Sequence, residues 1–351
     1  MRSSTSPSSR RVPWFVVQLL AAALLTGMAT AFYTLRLNPE IAYLRGSDRI
    51  KRAWAEKMTL EHGAKTILFG GSSCEFSIDP AQLLERHGLP AVNLGRNAGL
   101  GASVLIEATL IETRPKDTLV MAIEPTLLTG PAEIPMLGVQ FSFALGHPEW
   151  VLTPRFGGPR KSWPAALLAL RPGGYHVFTL LGKLVQGRPL YRYNTAEVRP
   201  SGFHQTPVRM PLTTLTSHAG HLDPDARVLL DALARWCRSN QVTLCYSLPW
   251  RYTPTNAVPA YQRLNAGLLW EIAEYCPVLR DEQLGAHVVL EHFADTEFHL
   301  NEPGASLRTS QLGDQLKSGR FWIRDELRQR AESAPGGIEA SGSTVAVGQF
   351  E

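Results

Sequence analysis

Two short stretches hold the residue types that nucleophilic acyl chemistry needs. In Phe69-Gly70-Gly71-Ser72-Ser73-Cys74, hydroxyls follow the apolar run Thr66-Ile67-Leu68-Phe69. A serine at the carboxyl end of a parallel strand stands where open α/β sheets bind ligands, and the glycines permit a tight turn whose N–H groups can stabilise an oxyanion. Far downstream, Phe293-Ala294-Asp295-Thr296-Glu297-Phe298-His299 puts an acid and an imidazole in a polar loop ahead of a helix that starts near Gly304. A hydroxyl nucleophile needs a base to take its proton, and the base needs a carboxylate to orient it. Taken singly, each stretch is also what a helix cap or a solvated loop contains; only their combination points to a site.

The elements around them read as alternating strands and helices. Strands are expected at Thr66–Phe69, Ala91–Leu94, Thr118–Ile123 and Val242–Leu248, with a shorter one at Val278–Arg280. Helices are expected at Ser47–His62, from Asp79 as cap to Gly88, and over Ala102–Thr113, Asp225–Ser239, Ala260–Tyr275 and Gly304–Leu316. Apolar strands alternating with helices imply a parallel sheet covered on both faces. Between Glu124 and Asp223 the pattern weakens, with short helices only around Trp163–Leu170 and Tyr175–Val185, so this stretch reads as an insertion. Its aromatic residues, Phe141, Phe143, Trp150, Phe156 and Trp163, suit a lid or carbohydrate platform, or ordinary packing. The boundaries that follow are 1–35 for a tail and apolar span, 36–63 for a stalk helix without chemistry, 64–125 and 224–320 for the two parts of the α/β domain, 126–223 for the insertion, and 321–351 for a tail that is small, polar and disordered from about Ala331.

With these motifs in order, the sequence resembles the SGNH/GDSL hydrolase superfamily, and more closely its membrane-anchored bacterial branch related to cell-envelope and exopolysaccharide O-acetylation proteins. The resemblance rests on Ile67 to Ser73 followed by Ile78-Asp79-Pro80, on Asn93-Leu94-Gly95 with the glycines after it, and on Asp295, His299-Leu300-Asn301 and Gly304. It implies a three-layer, flavodoxin-like fold with the insertion after the third strand. It makes Ser73 the nucleophile, with Ser72 where the family has Asp, His299 the general base, and Asp295 the residue that orients it. Gly99, or failing that Gly95, would donate a backbone N–H to the oxyanion hole beside that of Ser73. Three residues separate Asp295 from His299 where the family has two, which leaves Glu297 or a backbone carbonyl as alternative orienting groups. After the third strand Glu124-Pro125-Thr126 replaces the family's Gly-x-Asn-Asp. Loss of one oxyanion donor costs about 2.7–4 kcal/mol; Asn97 is the candidate replacement, and Glu124 is expected to point away or to bind a substrate hydroxyl. The implied activity is a serine esterase or O-acyltransferase on an envelope or exported glycan. Transfer would draw on an acyl donor from a multi-spanning membrane partner. The altered spacing and missing Asn leave a second expectation, a catalytically reduced binding or scaffold protein of a polysaccharide assembly system. No cofactor is implied.

Composition and compartment agree with this class. The 351 residues carry a net charge of only +4, with no long basic run in the body, which argues against a nucleic-acid binder. The stretch Trp14–Leu35 is uncharged, follows Arg2, Arg10 and Arg11, and is long enough to cross a bilayer as a helix. It suits an uncleaved anchor, with the body on the periplasmic side of an inner membrane. A signal peptide with Val16–Met28 as core, cut after Ala29-Thr30-Ala31 and leaving a secreted body, is the alternative. Cys74, Cys237, Cys245 and Cys276 form no close pair of the zinc-binding kind. They read as buried thiols, or as one Cys237–Cys276 disulfide, with Cys74 a minor alternative nucleophile. His218, His221 and Asp223 are too few to read as a metal site.

Overall fold

The computed structural model describes residues 11–131, 133–172, 174–205 and 218–332. Arg2, Arg10 and the tail from residue 333 onward lie outside the described residues. Ala331 and Glu332, expected in that tail, instead close a helix.

The chain opens with α1 (Arg11–Phe32), continued by a π-helical turn over Tyr33–Leu37. The segment Trp14–Leu37 is 24 residues long with a mean hydropathy of 1.9, and it is the one helix among the described residues long and apolar enough to cross a membrane. α2 (Pro39–His62) starts well before the predicted Ser47, because Asn38 caps it by accepting from the Glu40 N–H at 3.0 Å and Pro39 sits at its first position. Gly46 and Ser47, which read as a helix start, are interior. At Gly46 the insertion packs so close that a Cβ would lie 2.6 Å from Thr195 Cγ2, while the Ser47 hydroxyl turns inward.

Then come β1 (Thr66–Gly70), α3 (Ser72–Ser77), α4 (Pro80–His87), β2 (Ala91–Asn93), α5 (Ala102–Leu110) and β3 (Thr118–Ala122). The insertion contributes α6 (Pro125–Thr129), α7 (Met136–Leu145), α8 (Glu149–Leu152), α9 (Trp163–Ala169) and α10 (Gly174–Val185). The body resumes with α11 (Pro224–Ser239), β4 (Thr243–Tyr246), β5 (Arg251–Tyr252), α12 (Val258–Ile272), β6 (Ala286–His287), α13 (Glu302–Ser318) and α14 (Arg324–Glu332). The short α3 was not expected; six residues give too little periodicity to be read from sequence. The strand expected at Val278–Arg280 is reduced to isolated bridges, Tyr246 with Val278 and Leu279 with Phe321.

The central sheet is parallel and four-stranded, in the order β2-β1-β3-β4, with a separate parallel pair β5-β6. Its strands are buried on both faces, so each alternate side chain enters a different layer. Ile67, Phe69, Leu119 and Met121 face a core closed by α5, α11 and α12. Leu68, Val120, Ala122 and Cys245 face the opposite layer, where α3, α4 and α13 supply Cys74, Ile78, Leu83 and Leu312. The insertion builds a further core against α2 and α5, joining Ile41, Leu44 and Val104 to Phe141, Trp150 and Ala166. Phe141 and Trp150 are buried there, Phe156 is buried in the sheet core beside α11, and Trp163 is exposed. All four cysteines are buried free thiols, so no disulfide joins Cys237 to Cys276.

Candidate active site

Ser72 and Ser73 form the first turn of α3 at the carboxyl end of β1. The residue before them must be glycine, since a Cβ on Gly71 would fall 2.2 Å from Glu124 Oε2. That carboxylate, at the end of β3, takes both backbone donors of the turn: Gly71 N–H at 3.1 Å and Ser73 N–H at 2.8 Å. Glu124 therefore does not point away, and it occupies the Ser73 donor assigned to the oxyanion hole. Burial pushes its carboxyl above the ordinary range, and the N–H groups of Ser73 and Gly71 oppose the rise.

The other expected donors are engaged as well. Gly95 N–H donates to Asn93 Oδ1 at 2.8 Å, and Gly99 N–H donates to Asn97 Oδ1 at 2.7 Å. Asn97 thus caps the 3-10 turn Ala98–Leu100 with its carbonyl, which makes it a turn-former before anything else. Ser73 is 1% exposed, and its hydroxyl lies close enough to the Glu124 carboxyl to lower it without forming a well-aligned hydrogen bond; Ser72, one residue earlier, is partly exposed. Cys74 is packed against Asn93, and burial pushes its thiol far above the ordinary range, so it offers no thiolate nucleophile.

Asp295 and His299 do meet. His299 Nδ1 lies 2.7 Å from Asp295 Oδ1. The loop absorbs its extra residue by closing on itself. Phe293 bridges to Leu300, Ala294 N–H donates to His299 O at 2.8 Å, and the Thr296 hydroxyl accepts from the N–H groups of Phe298 and His299. The second oxygen of Asp295 accepts from the Tyr193 hydroxyl at 2.9 Å and from Arg192 at 3.2 Å. Burial alone would raise the Asp295 carboxyl. The hydrogen bond and charge of His299, with Tyr193 and Arg192, outweigh it and hold the carboxyl below its ordinary range. An ionised carboxylate can only accept, so Nδ1 carries a proton toward Asp295 and Nε2 is the nitrogen turned away from it. Glu297, the alternative orienting group, instead pairs with Arg251 at 3.4 Å.

α3 and this loop are in contact. Phe76, one turn after Ser73, stacks on the His299 ring with centroids 4.2 Å apart, and the Ser77 hydroxyl donates to Phe298 O at 3.4 Å. The fold therefore brings the Ser73 turn and the Asp295–His299 pair to one edge of the sheet, but no hydrogen bond joins Ser73 to His299.

Beside them lies a buried polar network that the sequence did not disclose. Lys51 Nζ sits 2.7 Å from Glu75 Oε1, both side chains being almost wholly enclosed. The same oxygen accepts from Tyr43 at 3.1 Å and Ser47 at 3.2 Å. The Tyr43 hydroxyl also lies 2.7 Å from His204 Nδ1, and His204 Nε2 lies 3.1 Å from Glu197. The far face of Phe76 stacks on His204, at 4.4 Å. α2, expected to be a stalk without chemistry, thus supplies three polar groups to the underside of α3. The available signal was Glu75 as the lone charge in an otherwise uncharged turn, with no cation within its own segment. Among the described residues no three His, Cys, Asp or Glu side chains converge as a metal site would require; Asp223 caps α11.

No family model matches the chain, and no curated protein or solved structure matches it significantly. The fold and the residues at the sheet edge are therefore the whole basis for assigning an activity.

Proposed function

We propose that this protein is a membrane-tethered, extracytoplasmic serine esterase or O-acyltransferase of flavodoxin-like, SGNH type, acting on an ester of an envelope or exported glycan. The observation that carries the proposal is the Asp295–His299 pair, braced by Tyr193 and Arg192 and stacked on the helix that bears Ser73. In this account Ser73 Oγ attacks the ester carbonyl while its proton passes to His299 Nε2, and Asp295 stabilises the imidazolium through Nδ1. The leaving alcohol takes the proton from His299. Water, or a sugar hydroxyl in a transferase, then releases the acyl group from Ser73 by the same steps in reverse. A transferase of this kind takes its acyl group from a donor, which a multi-spanning membrane partner would deliver.

On this proposal the arrangement is a resting one: Ser73 is enclosed and Glu124 holds the N–H groups of Gly71 and Ser73. Acylation requires the turn to open and those donors to move from the carboxylate to the developing oxyanion. A fluorophosphonate probe with mass mapping of the adduct tests this. The proposal requires modification at Ser73 that disappears in Ser73→Ala and His299→Ala; an adduct on Ser72, or none, contradicts it.

One observation favours a second function, binding without turnover. The N–H groups of Ser73, Gly95 and Gly99 are all satisfied inside the protein. A binding member of a polysaccharide assembly system would keep the fold and show no adduct, while its glycan would still protect the loop from proteolysis.

A further inference from the structure

α10 lies in the insertion with an apolar face that nothing among the described residues covers. Phe178, Leu181, Leu184 and Val185 recur on one side of the helix and are all exposed, Phe178 by 76% and Val185 by 86%. Trp163 and Leu167 of α9 are exposed in the same way. Such a face on a water-surrounded surface is unfavourable by roughly 25 cal/mol for each Å² of apolar area, so it implies an apolar neighbour.

Two features of the molecule identify the neighbour. The first is place. The core formed by the insertion, which includes Ala166 of α9 and Leu170 just after it, takes in Ala31 of α1 and Leu35 just beyond it, so the insertion packs at the foot of the apolar helix. Lys183 of α10 is near enough to Glu40, at the start of α2, for its charge to act on that carboxyl. The second is charge. From Trp150 to Ala196 the chain carries seven Lys or Arg and no Asp or Glu. An apolar stripe with Trp, flanked only by cations and set where a spanning helix leaves the bilayer, has the composition of a helix lying in a lipid interface.

We infer that α9 and α10 seat the protein on the membrane surface, with their apolar faces in the outer part of the acyl-chain region and their basic flanks on anionic headgroups. The inference rests on the reading of α1 as an uncleaved anchor. Its consequence reaches the site, because the segment that follows α10 carries Arg192 and Tyr193, which hold Asp295. The insertion thereby sets the Asp295–His299 pair close to the bilayer and suits it to an ester carried at the membrane surface.

The test uses the full chain with single exposed cysteines, the native four being buried. Leu181→Cys on α10, Leu24→Cys on α1 and Arg235→Cys on the exposed side of α11 are each labelled with nitrobenzoxadiazole. They are then reconstituted in phosphatidylcholine–phosphatidylglycerol vesicles containing doxyl-labelled lipid. The inference requires Leu24→Cys to be quenched most by doxyl groups deep in the chain. Leu181→Cys should be quenched most by shallow ones and several-fold more than Arg235→Cys. Quenching at Leu24→Cys with none above the Arg235→Cys level at Leu181→Cys overturns the inference and leaves the anchor standing. Quenching at neither overturns both. An unquenched Leu181→Cys that cross-links to a second copy assigns the face to self-association and also overturns it.

Discussion

At Ser73 the hydroxyl has no well-aligned hydrogen bond while the N–H of the same residue is bound to Glu124, and the two facts pull acyl chemistry in opposite directions. A buried hydroxyl without a well-formed hydrogen bond is costly, and a catalytic role is one reason such a group is kept; a carboxylate on the oxyanion donors opposes that role. Glu124→Gln separates these effects. An amide can accept from one of the two N–H groups but turns its NH2 toward the other, which leaves a buried donor unmatched and costs about 1–3 kcal/mol of stability. With the negative charge gone, fluorophosphonate labelling of Ser73 should become faster; unchanged or slower labelling in a folded variant would show that Glu124 does not gate the donors. The pH dependence follows from sign. Burial raises the Glu124 carboxyl in the folded state, so its proton-linked stabilisation is present at low pH and is lost as pH rises through the raised value. Asp295, held below the ordinary range, contributes the opposite way: its stabilisation is lost as pH falls through the lowered value. Urea midpoints against pH should therefore show Glu124→Gln gaining on the wild type toward neutral pH. Asp295→Asn should fall behind over the same direction of change. The residue types at Ser73, Asp295 and His299 were legible in the sequence because each sits in a polar or glycine-rich break. The engagement of Gly95, Gly99 and Asn97 was not, since an N–H shows its partner only when the turn is folded.

Among the elements, the strands were legible because alternate residues such as Leu68 and Phe69 are apolar on both faces, a pattern that survives without any knowledge of partners. α2 was legible only in its second half. Its apolar stripe Ile50, Trp54 and Met58 marks one face, while Tyr43, Ser47 and Lys51 gain meaning only from Glu75, which lies on another element. Burial lowers the Lys51 ammonium and the charge of Glu75 opposes it, so the pair stands on mutual neutralisation. Lys51→Met leaves Glu75 enclosed without its cation and should destabilise the fold by about 3–5 kcal/mol. A denaturant midpoint close to that of the wild type would mean that Tyr43 and Ser47 suffice to hold the carboxylate. Because Phe76 follows Glu75 and stacks on His299, the same variant should also loosen the imidazole; a rise in hydrogen exchange across Phe293–Leu300 is the expected sign.

For the whole molecule, one parallel sheet gathers at a single edge residues that are over two hundred positions apart in sequence, Ser73 and His299, while the insertion reaches back to brace Asp295. An edge placement of this kind follows from strand order, which no local pattern encodes. The bracing by Tyr193 follows from packing of a Pro- and Gly-rich stretch whose path has no periodic signature. The central claim is that this assembly performs ester chemistry through Ser73 and His299, and turnover of p-nitrophenyl acetate by the detergent-solubilised full chain tests it most directly. The account predicts release of nitrophenolate by the wild type and by Ser72→Ala. Loss by at least a hundredfold is predicted in Ser73→Ala and in His299→Ala, each variant remaining folded under the assay conditions. Equal turnover in Ser73→Ala and wild type, or turnover that vanishes only with Ser72, would contradict it.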